Sequence, residues 1–332
     1  MNVNLRGEGV AAACCAALLA KASIPPTIER VSRPPPPVVM LSDQALALVR
    51  DVLDRPALWA DAPRIDRRVV AWGSSDPVAI PHAAAILSGS AIEAAMDDFL
   101  VVDPARPASD FTIHAAPPFP FGDFRRFGER RATATPVRLL RDEDRSACWI
   151  EAVADGWLFL IPTSEGEGWL LAVGEASDDL LVESRLIAPR IAPLDQPGSA
   201  FHTSPGMLCP PRTASALACG SAALAFDPLC GDGTSQAARE AILASAVVVG
   251  ISEGGDAEAL QAHYEAMVTA AMRRHLLMCM DFYRSGGDGP WWQEQLASLT
   301  EGHAWCTERL GRMPEPRFLL NNDRLVPREV AA

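Results

Sequence analysis

Lys21 is the only lysine in this 332-residue chain, so nearly all of its positive charge is carried by arginine. Positive charge is scarce overall: 29 Lys and Arg residues stand against 42 Asp and Glu, a net charge of −13, which argues against nucleic acid as a partner. No uninterrupted run of eighteen apolar residues occurs, so a membrane span is not expected. The eight cysteines, Cys14, Cys15, Cys148, Cys209, Cys219, Cys230, Cys279 and Cys306, include no CxxC pair and no histidine at ligand spacing. No metal site is expected. Several of them fall inside apolar patterns, where a reduced, buried thiol is the ordinary state, which points to a cytoplasmic protein. No histidine marks itself as a general base: His82 and His114 lie in extended patterns, and His263, His275 and His303 on helical ones. No catalytic residue is assigned.

Two glycine turns are present at opposite ends of the chain. The run Phe226-Asp227-Pro228-Leu229-Cys230-Gly231-Asp232-Gly233-Thr234 leads into an apolar helical stretch, Ser235 to Gly250. Pro228 fixes the backbone, Gly231 and Gly233 bare the peptide for a planar ligand, and Thr234 or Ser235 is expected to cap the helix. The helix N-terminus would then stabilise negative charge on that ligand. Such a turn is also common in proteins that bind nothing there. At the other end, Val3-Asn4-Leu5-Arg6-Gly7-Glu8-Gly9-Val10-Ala11-Ala12 reads as strand, GxGxxA turn and helix start. In a dinucleotide fold Gly7 makes the turn, Gly9 admits a pyrophosphate beside Glu8, and Ala12 lets helix and strand pack closely. Glu29, 20 residues beyond Gly9, is spaced to meet ribose hydroxyls at the end of a second strand. A rival reading of the same residues is a secretory leader, with Arg6 as basic region, Val10 to Ala20 as apolar core and Ala20-Lys21-Ala22 as cleavage site.

On these motifs the chain resembles the single-nucleotide FAD oxidoreductases, the group of para-hydroxybenzoate hydroxylase, the geranylgeranyl reductases and the flavin-dependent tryptophan halogenases. The resemblance implies that Gly7, Glu8, Gly9, Ala12 and Glu29 hold the adenosine diphosphate half of FAD. It also implies that Gly220, Ser221, Pro228, Gly231, Gly233 and Thr234 hold its ribityl and ring half. Ser221 stands where the family has aspartate, and Gly89 where many hydroxylases have an FAD-contacting arginine. The stretch Gly156-Trp157-Leu158-Phe159-Leu160-Ile161-Pro162 is similar to the halogenase Trp-x-Trp-x-Ile-Pro motif, so Trp157 and Phe159 are expected to wall a substrate pocket. Alternation along a strand makes an ordinary sheet core the competing reading. Halogenases of the group carry their oxidant on a lysine; with only Lys21 present, in the first helix, halogenation is disfavoured, since arginine offers no neutral amine.

The expected fold is α/β: a Rossmann-like FAD-binding domain from residues 1–135 and 205–255, interleaved with an antiparallel substrate sheet over 136–204, then a helical region over 256–332. Ser42 is read as the cap of a helix through Leu53, and Ser90 to Glu93 as a capping box opening a helix through Leu100. Three strands near 148–153, 157–161 and 169–173, split by glycine turns, read as a meander. The function implied is an FAD-dependent monooxygenase acting through a flavin hydroperoxide on a small-molecule or protein-bound aromatic substrate, reduced by NAD(P)H or a flavin reductase. The alternatives are a halogenase-like protein and a non-catalytic relative of the flavin fold.

Overall fold

The computed structural model describes residues 1–73, 76–102, 108–163, 166–230 and 233–328. Its first sheet is built on Val3–Arg6, which pairs in parallel with Thr27–Glu29 on one side and Phe111–His114 on the other. Phe111–His114 in turn pairs in parallel with Ala216–Ala218, and the short Arg212–Thr213 closes the edge antiparallel. Leu5, Ile113 and Leu217 lie in register across three strands and are wholly buried. The apolar alternation of these short segments is what the layered α/β core needs on that face.

Helix α1 (Gly9–Lys21) is apolar on every side, and Ala11, Ala12, Ala13, Cys14 and Cys15 are all buried in it. A helix with no polar face belongs inside a protein, and α1 is packed between the sheet and α5 (Gly233–Ser252). Residues 3–21 thus form an inner strand and a core helix. Helix α2 (Asp43–Leu53) begins at Ser42, whose hydroxyl accepts from the Ala45 N–H at 3.2 Å. Helix α3 (Gly89–Met96) begins two residues before the expected capping box: Ser88, not Ser90, caps it, and a 3-10 turn follows over Asp97–Phe99. Helix α4 (Ser177–Glu183) is short; α6 (Ala257–Gly286) and α7 (Pro290–Arg312) form a long antiparallel pair. Among the described residues no helix is long and apolar enough to cross a membrane.

The second sheet has the order Ile191–Pro193, Arg131–Leu139, Glu167–Gly174, Gly156–Pro162, Ala147–Val153, Arg64–Ala71, Val78–Leu87, Val39–Ser42, with Ser199–His202 also on Arg131–Leu139. The three central strands are the expected meander. The sheet nevertheless draws strands from residue 39 onward, so it reaches well outside the span 136–204 assigned to it from sequence. The pairing of Arg64–Ala71 with Ala147–Val153 is parallel, which makes the sheet mixed. Gly156–Pro162 is buried on both faces: Trp157, Phe159 and Ile161 point to the main core, Leu158 and Leu160 to a second core with Leu170, Leu180 and Ile187. The alternation of that strand serves one core on each side.

Candidate functional site

Gly7 lies at φ +142° and its N–H donates to the Glu29 carbonyl at 2.9 Å. A Cβ there would come within 2.9 Å of the Ala116 backbone nitrogen, so the turn admits glycine alone. Gly9, at φ +80°, opens α1 with Glu8 as its N-cap. Two hundred residues later Gly220, at φ +57°, sits so close to α1 that a Cβ would lie 2.6 Å from the Ala11 Cβ. The small residues at 11 and 220 thus let the second turn rest on the first helix. Glu8, Gly9, Arg33, Gly220, Ser221 and Glu240 line one cleft of about 270 Å³.

Gly233 and Thr234, at the start of α5, also line that cleft. Thr234 and Ser235 lie inside the first turn of α5 rather than at its cap. Gly231 lies outside the described residues, as does the side chain of Cys230. A second cleft of about 350 Å³ adjoins the first at Pro36, Val39, Phe226, Gly233 and Thr234. Its walls are apolar, from Met40, Phe159, Ile161, Trp169, Phe201 and Pro228. Trp157 is absent from this wall. It is wholly buried one pleat further along, and its indole N–H donates to Tyr283 Oη at 3.1 Å.

That bond belongs to a buried network which fixes the loop before α5. Tyr283 donates to Asp227 Oδ2 at 2.8 Å, and Arg130 Nη2 approaches the same oxygen at 3.2 Å, with both ion-pair side chains fully buried. The Leu229 N–H donates to Asp227 Oδ1 at 2.9 Å, and the Asp227 N–H donates to His275 Nε2 at 2.8 Å. His275 stacks flat on Phe226 at 3.9 Å, so its ring reaches the edge of the apolar cleft through Phe226. Burial pushes the Tyr283 phenol well above its usual range and keeps it a donor.

Glu29 ends its strand as expected, but its carboxylate receives Arg6 Nε at 3.3 Å and Asn4 Nδ2 at 3.4 Å, and it does not line either cleft. Arg33 is the residue that sequence reasoning missed. Its Nη1 donates to Ser221 Oγ and its Nη2 is 3.4 Å from where a Cβ on Gly9 would stand, so the guanidinium spans the cleft mouth between the two glycine turns. Gly89, by contrast, has no room for a side chain: a Cβ would lie 2.2 Å from the Pro36 carbonyl. The proline run that excludes an arginine at 89 delivers one at 33. The signal was the position of Arg33, just beyond Glu29 and just before Pro34 to Pro37.

No family model matches the sequence, and neither does any curated protein at the sequence level. Solved structures do match. The peptidyl tryptophan dihydroxylase QhpG, essential for tryptophylquinone cofactor biogenesis, superposes with a TM-score of 0.77 at 17% identity, over 98% of this chain and 86% of that one. The flavin-dependent halogenase CmlS gives 0.74 at 15% identity, over 94% and 71%. The flavin-dependent brominase Bmp2 gives 0.71 at 15% identity, over 90% and 89%. The chain shares its fold with these three flavin-dependent or peptide-modifying enzymes, halogenases and a hydroxylase alike.

The residues present fit a flavin nucleotide. Two glycine turns leave bare backbone, a cation spans them, the first residues of α5 line the same cleft, and it adjoins an apolar chamber. Gly233 faces open space, with nothing within 4 Å of its Cβ direction.

Proposed function

We propose that the chain is an FAD-dependent, monooxygenase-type oxidoreductase acting on an organic or protein-bound aromatic substrate. The observation that supports this reading most is the junction of the two clefts at Phe226, Gly233 and Thr234, where a ring held at the start of α5 faces Phe159, Ile161 and Trp169. In this reading Gly9 and Arg33 hold the diphosphate, Gly220 and Ser221 the ribityl chain, and Pro228, Gly233 and Thr234, with Gly231, the ring. Bound flavin supplies the oxygen-activating chemistry. The protein supplies orientation and a water-poor chamber. Reducing equivalents come from a flavin reductase or from NAD(P)H docking transiently. Among the described residues no cysteine is in a disulfide, which suits a reducing cytoplasm.

Halogenation is the weaker reading because of where the single lysine lies. Lys21 is at the C-terminal end of α1, about 18 Å along the helix from the Gly9 turn, and is paired with Asp323 on the surface. QhpG, which acts on a peptidyl tryptophan, makes a protein-bound aromatic side chain a reasonable substrate class for the chamber. The test is direct. Protein incubated with FAD and desalted should retain a flavin absorbance band, and Gly9→Val should remove it while the protein stays folded by circular dichroism. Colourless wild-type protein that does not take up FAD on titration would favour the non-catalytic relative.

A further inference from the structure

Glu240 is a buried carboxyl group that lines the first cleft. It rises from the second turn of α5, is 3% exposed, and still lines the cleft beside Gly220 and Ser221. Its Oε2 accepts the Gly220 N–H at 2.8 Å and its Oε1 accepts from Gln236 Nε2 at 3.1 Å. Among the described residues no cation is paired with this carboxyl: Arg33 is engaged with Ser221 at the cleft mouth. Ion-pairing therefore does not explain why an acid stands here.

We propose, on the basis of the FAD reading above, that Glu240 is a cofactor-binding residue that acts as a neutral acid, donating its O–H to an oxygen of the ribityl–diphosphate portion of the cofactor. The placement supports that portion, since Glu240 is bonded to the Gly220 turn, beside the Ser221 that Arg33 holds, and lines the same cleft as Gly9 and Arg33. Both carboxyl oxygens already accept a bond from the protein, so the acid proton is left for a ligand acceptor. A neutral acid also suits a dianionic diphosphate nearby, which an ionised one would repel. Burial, opposed by the bonds from Gln236 and Gly220, pushes this carboxyl up to about 8. The group is then protonated at neutral pH and ionises on the alkaline side.

The groups bordering Glu240 do not share that titration. Tyr264 of α6 is held well above its usual value by burial, and Cys219 likewise, first by its hydrogen bond with Cys15 and then by burial. Arg33, Glu8 and Glu93 are the other charged side chains that line the same cleft among the described residues.

The experiment is FAD titration, followed by quenching of flavin fluorescence, at about pH 7 and about pH 9, on wild type, Glu240→Gln and Glu240→Leu. Wild type should lose about tenfold in affinity across that interval, as an acid with a pKa near 8 loses its proton. Glu240→Gln keeps a donor without the charge, so it should bind at pH 7 within a few-fold of wild type and lose nothing at pH 9. Glu240→Leu should bind weakly at both. Wild type and Glu240→Gln with the same pH profile would overturn the assignment, and this comparison stands even if Glu240→Leu fails to fold. Wild-type protein that binds no FAD at either pH would overturn the FAD reading itself, a result distinct from a flat profile.

Discussion

Arg33 and Ser221 meet across the mouth of the nucleotide cleft, the guanidinium donating to the hydroxyl, although 188 residues separate them. Arg33 is fixed by the proline run behind it, Ser221 by the turn at Gly220, and neither is held by a carboxylate at this point. Burial lowers the Arg33 guanidinium from its ordinary value, with Glu93 and Glu8 opposing the shift, and it stays a cation at any working pH. Replacing it should be felt by an anionic ligand. Arg33→Met is expected to weaken FAD binding by about tenfold to a hundredfold, the range for a lost charge-assisted hydrogen bond of about 1.5–3 kcal/mol. Thermal denaturation of the apoprotein should be nearly unchanged, and isothermal titration with FAD checks the first half of the statement.

Gly233 offers a cleaner probe of the ring end than a buried glycine does. Its Cβ direction is open and no positive φ is required there, so Gly233→Leu should fold normally. The new side chain enters the space shared by the two clefts. Flavin uptake or photoreduction should be lost with no more than about 0.5 kcal/mol change in stability, as for other exposed substitutions. Normal photoreduction in this variant would place the ring elsewhere.

Asp227 ties together parts of the chain that are far apart in sequence, and Tyr283 is an uncharged side-chain partner of its carboxylate. Tyr283→Phe deletes a donor to a buried carboxylate and the acceptor of the Trp157 indole. Leaving a buried donor without an acceptor should cost about 1–3 kcal/mol in urea unfolding. Asp227→Asn should cost more, since Arg130 would remain as a buried, unpaired cation.

His114 is expected to contribute to the loss of stability in acid. Burial, then the neighbouring Arg6, hold its imidazole down to about 4, with Glu29 opposing, whereas in the unfolded chain it titrates near 6.5. The unfolded state therefore binds a proton first as the pH falls. Its contribution is complete above about pH 6.5 and is lost progressively towards about pH 4. His114→Leu, which keeps an apolar contact for Phe119, should show a shallower loss of urea stability over that interval than wild type. Parallel acid limbs for the two proteins would assign the loss to other groups.

How much of this was legible in the sequence follows the range over which each signal acts. The strand and turn at 3–9, the meander at 147–174 and the cap at Ser42 are local patterns, and each appears within a residue or two of its expected place. Strands such as Arg64–Ala71 and Arg131–Leu139 were not legible: the first carries Arg67 and Arg68 among its apolar positions and the second contains Pro136. Pairing partners, not local preference, make them strands. The capping box at Ser90 lost to Ser88 because the Gly89 N–H is taken by the Pro36 carbonyl at 3.0 Å, a contact from another segment. For the cleft, the glycines were readable because bare backbone has a residue type. Arg33, Glu240 and the inward turn of Trp157 depend on which distant segments meet, and one chain's spacing does not contain that.

The lysine question closes on position rather than on count. A lysine relay needs a neutral amine beside the oxidised substrate, in the chamber of Phe159 and Trp169. Lys21 is instead on the surface at the opposite end of α1 from the Gly9 turn, 3.0 Å from Asp323, and its bond to that carboxylate raises its pKa further. An ammonium held charged in water is the wrong form in the wrong place. Lys21→Met should therefore leave FAD binding and any oxidation of an aromatic substrate at wild-type levels, and should cost at most about 1 kcal/mol as the loss of an exposed pair. Reduced FAD, oxygen and bromide with a panel of indoles should give no brominated product from either protein. Bromination by wild type that disappears in Lys21→Met would mean that the amine reaches the chamber, and the halogenase reading would replace the hydroxylase one.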